Sequence, residues 1–208
     1  MATLEDFEAA KQRLRKGCID RTPLRKSHWL SEAAEAEVYL KLECLHEPGS
    51  FKLRGVVNYL LAHREQEGAF PARVLTASGG NHGLAVACGC QRFSIPCTVV
   101  LPENSVTDAK VSALEKFGAR VEVHGAVWND ANDHVLQQVQ GDDQTVYLHP
   151  FDHTWIRQGT GTILLEVKEQ LREMAALSAS AGAQQAEKGP LFDAVVASVG
   201  GGGLLSGM

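Results

Sequence analysis

R-V-L-T-A-S-G-G-N-H-G-L-A-V-A-C-G-C-Q-R-F-S-I-P-C-T-V-V-L, residues 73–101, is the stretch on which the fold turns. Arg73–Ala77 and Cys97–Leu101 are short apolar runs bounded by turn signals, the pattern of buried strands. Between them a loop of small residues, Ser78–Asn81, opens a helix over His82–Phe93. Strand, helix and strand at this spacing make a crossover unit, and crossover units build parallel sheets.

The alternation continues outward on both sides. Downstream, a helix over Ser105–Phe117 is stopped by Gly118, and a strand Arg120–His124 follows. A helix Asn129–Gln140, a strand Thr145–His149 and a longer helix from near Trp155 to Leu177 come next. Upstream, Leu4, Phe7, Ala10 and Leu14 recur at helical spacing behind a Thr3 cap, and Ser27 caps a second helix. Val38–Glu43 alternates as a half-buried strand, and the turn His46–Gly49 delivers Ser50 to a helix ending near Gly68. Ser178–Pro190, rich in Ala, Ser, Gln and Gly, reads as a surface insertion or loose linker. Phe192–Val199 has the continuous apolar run of a buried parallel strand, and it empties into Gly200–Gly203 with a helix start at Leu204. The fold class is α/β: parallel sheets covered by helices, with sites at the carboxyl ends of strands.

Composition narrows the function classes. The 208 residues are 44% apolar and 22% charged, which suits a globular protein with a sizeable core. A formal charge of -5 offers no basic face for nucleic acid. No basic amphipathic helix suits a membrane surface, and no apolar run approaches the roughly 20 residues that span a bilayer. Met1–Glu8 is acidic and lacks a secretory pattern, so a cytoplasmic protein is expected. The five cysteines, at 18, 44, 88, 90 and 97, form no disulfide framework. Cys88 and Cys90 fall in an apolar helical run, where they serve as small core residues, and no metal site is expected.

Three segments carry chemistry. In Ser50–Gly55, S-F-K-L-R-G, Lys52 stands between an aromatic residue and a leucine at a helix start. Removed from water an ammonium loses its proton more readily, and the neutral amine is a nucleophile suited to a Schiff base. The alternative is a lysine that merely snorkels. In Ser198–Gly207, S-V-G-G-G-G-L-L-S-G, four glycines between a strand and a helix let backbone N–H groups converge on a phosphate. A loop that simply tolerates glycine is the other reading, but four in a row are costly in entropy. No Lys-Ser or Lys-Thr follows, which excludes a P-loop, and a dinucleotide fingerprint belongs at the first strand–helix turn rather than the last. In Ser78–Gly83, S-G-G-N-H-G, side chains and helix-start amides suit a carboxylate, with N-capping by Ser78 or Asn81 as the plain alternative. His82 reads as a structural or supporting residue rather than a base. Amine nucleophile, phosphate cradle and carboxylate cradle together describe a pyridoxal 5'-phosphate site that holds an amino acid.

These segments resemble the serine/threonine dehydratase family, of the tryptophan synthase β-like fold (fold type II). The likeness runs through T-P-L, V-Y-L-K-L-E, S-F-K-L-R-G, S-G-G-N-H-G, F-G-A-R-V, H-P-F-D, G-T-G-T-I-L-L-E and G-G-G-G-L-L-S-G in order. It implies two domains. Residues 1–55 and 151–208 would belong to a larger cofactor domain, incomplete here, and residues 56–150 would form a small α/β domain. It also implies site roles. Lys52 would carry the Schiff base and remove the Cα proton, and Phe51 would lie near the ring. Asn81 would bond the cofactor's phenolic oxygen, and Gly200, Gly201, Gly202, Gly203 and Leu204 would hold its phosphate. Ser78, Gly79, Gly80, Asn81 and His82 would receive the substrate. The implied reaction is α,β-elimination of L-serine or L-threonine to a 2-oxo acid and ammonia, the β-hydroxyl leaving with a proton supplied through the phosphate. The implied assembly is a homodimer.

Departures from the family pattern are informative. Relatives that make cysteine or threonine often have Asp after the lysine, where this chain has Leu53. Serine racemases carry a serine where Gly79 stands, which ranks racemization below elimination. Thr160 replaces the glutamine of G-Q-G-T. Members of the family continue well beyond the glycine loop, so the chain is expected to be a fragment of such an enzyme, with low activity by itself. Two other readings compete: a non-catalytic remnant, and a nicotinamide-binding oxidoreductase.

Overall fold

Thr3 and Asp6 cap each other reciprocally, and this capping box starts α1 (Leu4–Lys16). The computed structural model describes residues 2–180 and 190–208, and of residues 178–180 the backbone alone. A short antiparallel pair, β1 (Leu24–Lys26) with β2 (Tyr39–Lys41), brackets α2 (His28–Ala34), whose N-cap is Ser27. The helix α3 (Lys52–Glu67) then enters the core, and every residue from Leu53 to Ala62 is buried. Its apolar residues run all round the helix, as burial on every side requires. Gly68, at φ +78°, ends it in the left-handed region that glycine adopts without strain.

Residues 73–147 form the parallel sheet that the sequence called for. Its strands are β3 (Arg73–Ala77), β4 (Cys97–Leu101), β5 (Arg120–Val123) and β6 (Thr145–Tyr147), in spatial order β5-β4-β3-β6. Their crossovers are α4 (Asn81–Arg92), α5 (Asp108–Lys116) and α6 (Trp128–Val139). Val74, Val99 and Leu101 face α3, α4 and α5, where Val56, Leu60, Val86 and Leu114 complete the main core. Leu75, Ala77 and Val100 point to the opposite face and pack against Ala131 and Val135 of α6. The last helix, α7 (Thr154–Ser180), lies with α1 over the outer side of α3. α3 and α7 cross closely at their glycines: a Cβ on Gly159 would stand 2.6 Å from the Arg54 carbonyl oxygen.

The C-terminal stretch departs from expectation. Phe192–Val199 forms no strand, and Val196 is 99% exposed with Val199 at 59%. A strand is made by its ladder partners, and among the described residues no strand pairs with this run. The helix expected from Leu204 is one turn, closed by Ser206 N–H to the Gly202 carbonyl at 2.8 Å. Of the Ser178–Pro190 linker, residues 181–189 lie outside the described residues, and 178–180 extend α7 past the predicted end at Leu177. Cys88 and Cys90 are buried core residues, as read, and no described helix is long and apolar enough to cross a membrane.

Candidate active site

Strand order fixes where a site can form. The chain leaves β3 toward β4 on one side, while β6 lies on the other, so the topology switches between β3 and β6. Ligands of open α/β sheets bind outside the carboxyl ends of strands at such a point. Residues 78–82 follow β3 and residues 148–151 follow β6, and the two segments meet there.

Lys52 is the first residue of α3, and its Nζ donates to the Pro150 carbonyl oxygen at 2.6 Å. The Phe51 ring centroid lies 5.4 Å from the same Nζ. Burial alone lowers the Lys52 pKa from its ordinary value, because no carboxylate among the described residues compensates. Lys41 is likewise shifted down, chiefly by burial, but it contrasts in its bonding: its Nζ donates to Glu166, the Thr22 carbonyl and Gln170 at 2.7–2.8 Å, which occupies all three protons. Lys52 has one acceptor and a depressed pKa, the state in which an amine is available as a nucleophile.

His82 is buried in the first turn of α4, and its Nε2 lies 3.0 Å from the Leu148 carbonyl oxygen. Burial holds its pKa down at about 3, so the imidazole is neutral. The Thr76 hydroxyl donates to the same carbonyl at 2.8 Å. Neither Ser78 nor Asn81 caps α4, whose N-cap is Gly80 without a side-chain bond, and Asn81 is exposed. The capping alternative is therefore not what these side chains do. Ser78 Oγ accepts from the Gly80 amide at 3.4 Å. Gly79 does not face Lys52 closely: a Cβ there would meet Leu101, Ser105 Oγ and Lys110, at 3.1, 3.2 and 3.9 Å. Gly79 and Gly80 instead border a cleft of about 360 Å³ with Pro102, Asn104, Lys110 and Trp128.

The glycine loop reaches the same segment. A Cβ on Gly201 would stand 2.3 Å from the Phe151 ring, and one on Gly203 would stand 2.6 Å from Phe151 Cβ. Only glycine permits this approach, one residue from the Pro150 carbonyl that holds Lys52. Gly200 is exposed and Leu204 half-buried in the turn that follows. Thr160 now has a role: its hydroxyl lies 3.1 Å from the Gly203 carbonyl oxygen and ties the loop to α7. Lys52, His82, Gly201 and Gly203 thus converge on residues 148–151, Phe51 lies beside Lys52, and Ser78, Gly79 and Gly80 line the neighbouring cleft.

Two groups of residues escaped the sequence. The Leu148 and Pro150 carbonyls and the Phe151 ring organise the site, and only the match of H-P-F-D to the family pointed at them. The second group surrounds Arg54, two residues after Lys52. Arg54 is completely buried, and its guanidinium donates to both carboxylates of Glu43 and Glu166 at 2.7–2.9 Å. Burial would raise the Glu43 carboxyl, but hydrogen bonds from His46 and Arg54 and the Arg54 charge hold it down at about 2. A carboxylate depressed in the fold contributes stability above its unfolded value of 4.5 and loses it as pH falls toward 2. Acid titration of unfolding should show a loss of roughly 3 kcal/mol from this group in that window, and Glu43→Gln should remove that dependence.

The Lys52 amine fits a cofactor with an amine-reactive carbon. Among the described residues, two buried side-chain polar atoms lack any partner, Ser50 Oγ and His82 Nδ1. Both lie in the segments that carry Lys52 and the small-residue loop. Residues 16–208 match the family described as pyridoxal-phosphate dependent enzyme. The chain belongs to that family. An L-threonine ammonia-lyase of Thermotoga maritima is 37% identical over all 208 residues, which cover 46% of that protein. An L-serine dehydratase of Saccharomyces cerevisiae is 34% identical over 91% of this chain and 55% of its own length. Among solved structures, the T.th. threonine deaminase has a TM-score of 0.78 at 31% identity, covering 99% of this chain and 59% of that one. Serine racemase from Dictyostelium discoideum has a TM-score of 0.71 at 33% identity, over 81% and 53%. These pyridoxal-phosphate likenesses replace the nicotinamide reading, and the chain spans about half the length of the curated relatives it matches.

Proposed function

We propose that this protein carries the lysine half of a site for α,β-elimination of L-serine or L-threonine, giving a 2-oxo acid and ammonia. The observation that carries the proposal is the Lys52 amine, depressed by burial, uncompensated by any carboxylate of the described residues and held 2.6 Å from the Pro150 carbonyl oxygen at the topological switch point. The names of the similar proteins support the same substrate class.

Pyridoxal phosphate, when bound, supplies a carbon that takes up amines and an electron sink for charge left at Cα. Lys52 would hold it covalently through Nζ and, once its amine is released, take the Cα proton as a base of lowered pKa. The N–H groups of Gly200–Gly203 and Leu204 would hold the phosphate, with Phe51 beside the ring and the Asn81 amide as donor to its oxygen. Ser78–His82 would orient the substrate carboxylate by their amides and the Ser78 hydroxyl. Residues 1–55 and 151–208 would belong to the cofactor domain and 56–150 to the smaller one, in a cytoplasmic homodimer that binds neither nucleic acid nor membrane.

Racemization is the second reading, because a serine racemase is among the similar structures. Position 79 supports elimination: glycine has no acid–base group, and its Cβ direction leads toward Leu101 and Ser105. A chain extended to the length of its relatives, incubated with L-serine and L-threonine, should yield 2-oxo acid and essentially no D-amino acid by chiral chromatography. Substantial D-serine would overturn the choice.

A further inference from the structure

Leu148 and Pro150 are two residues apart, and their carbonyls are used differently. The Leu148 peptide is fixed on both sides: its N–H donates to the Leu75 carbonyl at 2.9 Å, and its oxygen receives Thr76 Oγ1 at 2.8 Å and His82 Nε2 at 3.0 Å. A carbonyl oxygen can only accept, so His82 carries its proton on Nε2 and leaves Nδ1 as a buried lone pair. Beyond Leu148 the chain folds on itself, with His149 Nδ1 accepting from the Asp152 amide at 2.8 Å. The ring of Pro150 restricts the next step. The Pro150 carbonyl emerges from this anchored strap to hold Lys52 Nζ.

We infer that His82 is a positioning residue for Lys52: with Thr76 it clamps the Leu148 carbonyl, and so fixes the Leu148–Pro150 strap that holds the Lys52 amine. The imidazole is 4% exposed and its free nitrogen is buried, so it acts through the strap. Its neutrality suits the task, since an imidazolium would repel the lysine, and His149 beside it is likewise shifted down, chiefly by burial. The inference rests on the reading of Lys52 as the reactive amine.

The test measures Lys52 in the full chain without cofactor. Reductive methylation with formaldehyde and cyanoborohydride is followed across pH, residue by residue, by mass spectrometry. In His82→Asn the amide is too short to reach Leu148, the strap loosens, and Lys52 becomes hydrated. Its profile should move toward that of an ordinary lysine, with labelling at pH 8 reduced about 3- to 10-fold. His82→Gln places a donor at the same number of bonds as Nε2 and should restore the parent profile. Thr76→Val removes the second donor, should shift the profile in the same direction, and carries the test if His82→Asn does not fold. An unchanged profile in the folded variants, or His82→Gln behaving like His82→Asn, overturns the clamp. A parallel arm adds pyridoxal phosphate and borohydride to the parent chain: an adduct on another lysine overturns the reading of Lys52, while the methylation profiles still decide the clamp.

Discussion

In a chain extended to the length of its relatives, Lys52→Ala is expected to abolish formation of 2-oxo acid from L-serine and L-threonine while leaving the fold intact. One substitution removes both the atom that would hold the cofactor and the base that would take the Cα proton. Loss of general-base assistance alone is worth about 10²–10⁴ in rate, and loss of the covalent attachment adds to it. Stability should barely change, because Lys52 makes a single hydrogen bond, to a backbone carbonyl at the helix start. Far-ultraviolet circular dichroism and a thermal melt check the fold, and a coupled 2-oxo acid assay checks turnover. Retained activity would mean that another amine does the work, and Lys41 is a poor candidate because its three protons are engaged.

Arg54→Met is expected to do the reverse, striking stability first. The guanidinium is 0% exposed between Glu43 and Glu166, whose side chains are 14% and 10% exposed. Burial works against the Arg54 charge, but hydrogen bonds and attraction from Glu166 and Glu43 raise its pKa well above the ordinary value. Removing the cation leaves two buried carboxylates facing each other, with Lys41 bonded to Glu166 at 2.7 Å and His46 Nε2 3.1 Å from Glu43. Breaking such a pair costs about 3–5 kcal/mol, far more than the net worth of the intact bridge. Urea unfolding of parent and variant measures it. Replacing Arg54, Glu43 and Glu166 together by apolar residues of similar size should cost less than Arg54→Met, since no charge is then stranded. A change below about 1 kcal/mol in Arg54→Met would show that the network is dispensable.

The central sheet was legible because β3 and β4 are buried on both faces, and such strands are written as continuous apolar runs. Boundaries were less so. β6 stops at Tyr147 rather than His149 because the Leu148 carbonyl turns to Thr76 and His82. α5 starts at Asp108 rather than Ser105 because Glu103–Ser105 forms a separate turn and Thr107 provides the cap. Phe192–Val199 misled for a different reason: its residues favour a strand, but propensity cannot supply a neighbouring ladder.

The site shows a similar division. Lys52, the S-G-G-N-H-G loop and the four glycines announce themselves by residue type and spacing. The Pro150 and Leu148 carbonyls do not, since every residue has a carbonyl and only the fold selects these two. Arg54 stands two residues after Lys52 in the same segment, yet its partners come from Glu43 and from Glu166 on α7. No local pattern joins them. Thr160, a departure without meaning in the sequence, acquires one through its contact with Gly203.

The central claim is that Lys52, among all the lysines, is the amine that takes the cofactor. The most direct measurement is reduction of the protein with borohydride after addition of pyridoxal phosphate, followed by peptide mapping at increasing cofactor ratios. The account predicts that the first modification falls on Lys52 and is lost in Lys52→Ala. Preferential modification of Lys41, Lys110 or scattered surface lysines, with Lys52 left free, would contradict it.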